Sequence, residues 1–128
     1  MKKNAFTLVE LLAIIVILAI LAIILIPTLK SSIDDAKKSA YDEQISVITK
    51  AAETFFVNSN FRVDNTTPKV MYLNDIKDSG YIETKDIINP ITNNAMTGCV
   101  LIKYYSNQYH YEYIESNNDC SKYSNIKE

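Results

Sequence analysis

The chain has 128 residues, a formal net charge of −2, 48% hydrophobic residues and no tryptophan. That length accommodates one modest domain plus an additional segment, and the slightly acidic balance excludes a nucleic-acid footprint built from bulk basic charge. The single histidine, His110, has no cysteine within eight residues, which leaves it without the partners of a dedicated metal or catalytic site.

Most of the apolar character lies at the front. Lys2 and Lys3 precede Phe6-Thr7-Leu8-Val9, then Glu10, then sixteen uninterrupted apolar residues from Leu11 to Ile26. As a helix that run spans about 24 Å, slightly short of a bilayer core of about 30 Å. Starting at Phe6 makes it long enough but places Glu10 inside. The lysines put Met1 in the cytoplasm and the bulk of the chain outside. Ile26-Pro27-Thr28 offers no small-residue cleavage site, so a removable secretory signal fits poorly. In an ordinary anchor Glu10 costs about 2.5–3.5 kcal/mol near the helix centre and less toward the end. An acid there calls for a partner, and no basic residue lies between Lys3 and Lys30. A cut before Phe6 would create an α-ammonium one turn from Glu10. It could pair with Glu10 of the same or a neighbouring chain and turn a costly lone charge into an assembly device.

Two lysines, the stretch Ala5-Phe6-Thr7-Leu8-Val9-Glu10-Leu11-Leu12 and the apolar helix containing Pro27 together resemble the N-terminal signature of type IV pilins and pseudopilins. The resemblance implies a cut between Ala5 and Phe6 by a prepilin peptidase, N-methylation of Phe6, assembly through Phe6 and Glu10, and a helix kink at Pro27. Ala5 departs from the glycine usual before the cut. The match covers roughly the first thirty residues.

Beyond Leu29 the apolar residues fall into helical steps. Leu29, Ile33, Ala36, Ala40, Val47, Ala51 and Phe55 form a stripe, flanked by Ile45, Ile48, Ala52 and Phe56. This predicts one helix from about Phe6 to about Val57, bent by Pro27. Residues 58–69 read as a loop containing the sequon Asn65-Thr66-Thr67. Asn74 is expected to cap a short helical turn that Gly80 closes. Asn89-Pro90 and Asn93-Asn94 mark turns. Cys99–Tyr105 and Tyr109–Ile114 read as two antiparallel strands around Ser106-Asn107-Gln108, with Tyr109, Tyr111 and Tyr113 on the face that packs on the helix and His110 at the surface. The stretch 115–119 reads as a solvated turn, lacking the spacing of a calcium loop. Gly80-Tyr81-Ile82, Asn89-Pro90 and the cysteine-led hairpin also look like small Gram-positive pilins and pseudopilins. With the C-terminal part outside, Cys99 and Cys120 are a candidate disulfide closing a 22-residue loop, worth about 3 kcal/mol. Two reduced core thiols are the alternative.

The expected fold is therefore α+β: a long N-terminal helix, transmembrane in its first half and amphipathic in its second, packed on a small antiparallel sheet. The expected division is a cytoplasmic leader (1–5), a transmembrane or filament-core helix (6–29) and a globular head (30–128). The reading is a non-enzymatic structural subunit without cofactor or metal. It would sit in the membrane before assembly and in an extracellular filament afterwards, as a homo-oligomer or with other pilins, served by a prepilin peptidase and an assembly platform. Adhesion, motility, secretion and DNA uptake stay open, with no direct nucleic-acid binding expected. Alternatives are a pseudopilin of a competence or type II secretion-like system, and a membrane-anchored binding module that never polymerises.

Overall fold

The computed structural model describes residues 5, 7–83 and 85–128. The chain divides into two compact units, Met1–Lys37 and Lys38–Glu128. Helix α1 (Leu8–Asn58) runs without interruption through Pro27. Four strands and two short helices follow: β1 (Lys69–Tyr72), α2 (Leu73–Asp78), β2 (Cys99–Tyr105), β3 (Gln108–Ile114), α3 (Asn117–Cys120) and β4 (Ser124–Asn125). The fold is α+β.

In the first unit, or stem, no residue from Leu8 to Lys37 is buried. In the second unit, or head, α1 buries Ile48, Ala51, Ala52 and Phe56, with Ile45 and Phe55 packed beside them. The small side chains at 51 and 52 give the sheet a close approach, and the buried stripe centres on them. Val47, expected within the stripe, lies on its flank and is 52% exposed.

The sheet order is β3-β2-β1-β4. β2 pairs antiparallel with both β3 and β1, while the two-residue β4 pairs parallel with β1. The sheet is thus mixed and not purely antiparallel. After β3 the chain crosses through α3 to the far edge, and arrives beside β1 running in the same direction. Alternation sends Met71, Val100 and Ile102 toward α1, with Tyr109, Tyr111 and Tyr113 on that same face. Val70, Cys99 and Leu101 point the other way, where Cys120, Ile114 and Tyr123 cover them. Cys99 to Ile102 is therefore buried on both faces, which explains its unbroken apolar sequence.

The hairpin turn is Ser106-Asn107, both with positive φ (53° and 59°), as a two-residue turn between strands requires. Gln108, expected in the turn, opens β3 instead. Gly98 has φ +107°, and a Cβ there would lie 1.9 Å from the carbonyl oxygen of Ile114, so only glycine fits where β2 meets the end of β3. Asn74 lies inside α2 and does not cap it. The N-cap is Tyr72, which has no side-chain cap, and the Leu73 N–H donates to Gly98 O at 3.0 Å. This bond, one step beyond the β1–β2 register, satisfies one of the first free N–H groups of the helix. Of the stretch 115–119, expected as a solvated turn, residues 117–119 instead belong to α3, whose last residue Cys120 is fully buried.

Two side-chain links tie distant segments. Glu115 accepts from the Tyr41 phenol on α1 and from the Asn89 amide, each at 3.2 Å, and Asn89 itself is buried. Burial, and then the charge of Glu115, raise the Tyr41 pKa. Cys99 and Cys120 form a disulfide with a Cα–Cα distance of 6.1 Å. It fastens the C-terminal tail over the outer face of β2. Replacing both cysteines by serine is expected to cost the head about 3 kcal/mol. Thermal unfolding of wild type with and without reductant, beside the double variant, checks this. Reduction should reproduce most of the loss and leave the variant unmoved.

Candidate functional site

The residues of interest cluster at the start of α1, where a helix must satisfy its first free N–H groups. Thr7 and Glu10 do so reciprocally. The Glu10 N–H donates to Thr7 Oγ1 at 3.2 Å, and the Thr7 N–H donates to Glu10 Oε2 at 3.1 Å. The Leu11 N–H donates to Thr7 O at 3.1 Å, which makes Thr7 the N-cap and Glu10 the third helical residue. This is a capping box, and its carboxylate also lies at the favourable end of the helix dipole.

The carboxylate that the sequence leaves without a basic partner therefore has a partner in its own chain, the Thr7 backbone N–H. The signal was Thr-x-x-Glu immediately before an apolar run. A search confined to charged partners passes over it. The capping uses one carboxylate oxygen, Oε2, and leaves Oε1 without a hydrogen bond among the described residues.

Ala5 is exposed and outside the helix, as is Thr7. Phe6 and residues 1–4 lie outside the described residues, and with them the expected cut, the methylated nitrogen and the ammonium proposed to meet Glu10. Pro27 lies within α1; beside it, the Thr28 hydroxyl donates to Ile24 O at 3.3 Å and the Ser32 hydroxyl to Thr28 O at 3.1 Å. Such back-bonding keeps these hydroxyls satisfied on an apolar helix.

From Leu11 to Ile26 every side chain is exposed, and the helix is long and apolar enough to cross a membrane. Covering a side chain such as leucine or isoleucine is worth about 1.5–3 kcal/mol. Lipid or other apolar helices would supply such cover, which fits a membrane-anchored helix.

The family model for the prokaryotic N-terminal methylation motif matches residues 1–26. The match supports a type IV pilin-like prepilin signal at the front of the chain. It takes in both lysines, Glu10 and the apolar run, and none of the head. No curated protein and no solved structure matches the chain.

Other candidate residues fall elsewhere. His110, expected at the surface, is half-buried and stacks on Tyr105, with ring centroids 3.7 Å apart and planes 9° from parallel. Its Nε2 is buried without a hydrogen-bond partner among the described residues. Cross-strand neighbours on the hairpin tip force that contact: His110 pairs with Lys103, and Tyr105 with Gln108. Among the described residues no group of three or more His, Cys, Asp or Glu is placed to hold a metal ion.

Thr7→Ala is expected to loosen the first turn of α1 by about 1 kcal/mol. In micelle-embedded protein this should speed amide exchange of Glu10 and Leu11 by roughly fivefold, with the head unaffected.

Proposed function

We propose that this chain is the precursor of a structural subunit of a type IV pilus-like filament. The prepilin-type match over residues 1–26, together with an apolar stem that finds no cover within its own chain, carries this reading. A leader of residues 1–5 is cut between Ala5 and Phe6, and Phe6 is N-methylated. Residues 6–29 of the stem store the subunit in the membrane until the apolar surface of Leu11 to Ile26 is reburied against neighbouring stems. Pro27 lets the helix bend where it leaves this region. Residues 30–128, the head with the helical segment leading into it, form the outer part of the filament, where Cys99–Cys120 fastens the C-terminal tail. The partners are further copies or related pilins, a prepilin peptidase and an assembly platform.

Assembly gives Glu10 a second role. The new ammonium at Phe6 of a neighbouring subunit pairs with the carboxylate, and the uncapped Oε1 leaves room for that bond. Membership of a competence or type II secretion-like system is compatible with the same chemistry, as are adhesive and motility filaments. A membrane-anchored module that never polymerises would instead keep Met1.

The first test is the mature N-terminus. Intact-mass and N-terminal peptide spectra of protein from its native host should give a chain starting at N-methyl-Phe6, and retention of Met1 would overturn the proposal. The second test separates capping from pairing. Glu10→Gln keeps a capping acceptor and removes the charge, while Glu10→Val removes both. Both variants should be processed normally, remain in the membrane and enter filaments poorly. Loss of one partner of a buried ion pair costs about 3–5 kcal/mol, a hundredfold or more per addition step. The ratio of sheared filament to membrane fraction measures this. A Glu10→Gln ratio equal to wild type would show that only the cap matters.

A further inference from the structure

The loop after α1 builds a concave surface on the head that stem assembly does not require. Although residues 60–68 form no helix or strand, the loop is firmly held. Val63 is buried, and Phe61 meets Phe55 edge-on at 6.0 Å. Asp64 Oδ1 accepts four hydrogen bonds, from the N–H and hydroxyl of both Thr66 and Thr67, at 2.7–3.0 Å. These bonds, the Thr67 hydroxyl foremost, hold the Asp64 carboxyl well below the usual carboxylate range. The loop, the start of β1 and the end of β2 border an open depression of about 710 Å³, and a second open depression of about 340 Å³ shares Arg62 with it. Both volumes suit a small ligand.

The chemistry of the walls is specific. Arg62 is exposed and has no ion-pair partner among the described residues. Lys69 donates to the backbone oxygen of Glu128 at 3.0 Å and has further donors to offer. Tyr104 supplies an aromatic wall, backed by Tyr109 at 4.8 Å, which in turn meets Phe56 at 4.8 Å in the core. All four bonds to Asp64 fall on Oδ1, and its other oxygen accepts none among the described residues. Asn65 adds an amide. Guanidinium and ammonium groups recognise a carboxylate. A carboxylate and an amide beside them recognise hydroxyls, and an aromatic face covers the C–H side of a ring. A carboxylate and an amide beside the cations call for hydroxyl donors, which a DNA phosphodiester chain lacks along its length, so the mixture favours a hydroxyl-rich acid over a nucleic acid.

We propose that this concavity is a saccharide-binding site for a sugar bearing a carboxylate, with Arg62 taking the acid, Asp64 and Asn65 the hydroxyls, and Tyr104 one face of the ring. The bonds to Asp64 and the burial of Val63 hold the loop in shape from within, which lowers the cost of ordering it on binding. The site lies wholly within the head and is independent of how the stem is processed.

Calorimetric titration of the full chain, in micelles whose detergent has no sugar headgroup, tests this with tetragalacturonate as the probe. Saturable binding is expected, weakened about tenfold or more by Arg62→Gln and by substituting a neutral galactose tetramer for the probe. Lys122→Gln removes an equal charge outside the concavity and should leave affinity unchanged. Unaltered amide spectra verify that Arg62→Gln folds, as its exposed and unpaired side chain leads one to expect. Absence of binding up to about 10 mM probe (weaker than about 3 kcal/mol), equal affinity for the neutral tetramer, or an Arg62→Gln variant equal to wild type would each overturn the proposal. Tighter binding of an octamer of deoxythymidylate would overturn it in favour of a nucleic-acid surface.

Discussion

An apolar helix that its own chain leaves uncovered is the constraint on which everything else turns. Leu11 to Ile26 contribute nothing to a core within this chain, so the head must be stable on its own resources. It achieves this with few residues by burying β2 on both faces, toward α1 on one side and beneath the disulfide-fastened tail on the other. The second half of α1 is then asked for only one stripe, Ile48 to Phe56, and its remaining surface is free to stay polar.

The same constraint gives Glu10 its meaning. A carboxylate at the start of such a helix is costly in lipid unless something satisfies it. The capping box does so in part, by giving one oxygen a backbone N–H and aligning the charge with the helix dipole. Capping alone needs no charge, since glutamine serves there as well. The charge is the part that local structure leaves unexplained, and it is the part an incoming ammonium would use. The cap and the proposed pairing are compatible in one residue because a carboxylate has two oxygens.

Elements with a strong period were legible in the sequence. Helix α1 and strand β2 fall where the apolar rhythm places them, and the tyrosines of β3 face the helix as strict alternation requires. β1 and β4 were not legible: four and two residues are too few for a period to show, and both exist only because β2 offers an edge and the tail returns past it. The capping of α2 was misread because Asn74 is a good capping residue locally, whereas Leu73 obtains its partner from Gly98, twenty-five residues away. At the candidate site the apolar run, Glu10 and the flanking lysines were legible as composition. The Thr7–Glu10 reciprocity was equally available as spacing, but asking only for opposite charge hid it. The concavity around Arg62 had no sequence signature, since Tyr104 and Lys69 reach it through strand pairing alone.

The link between Cys99 and Cys120 also has a mechanical meaning. It closes a covalent ring around the whole β2–β3 hairpin, 21 Cα steps in circumference. If the chain were drawn taut from its two ends, the ring could not open. Tension would bypass the hairpin through the sulfurs, and the contour would be about 65 Å shorter than that of the reduced chain. A protease cutting at the Ser106-Asn107 tip would release nothing, because both fragments would stay joined. In the role proposed above, outside the cell and under pull, the bond would make the breakage of this exposed turn inconsequential for the integrity of the chain.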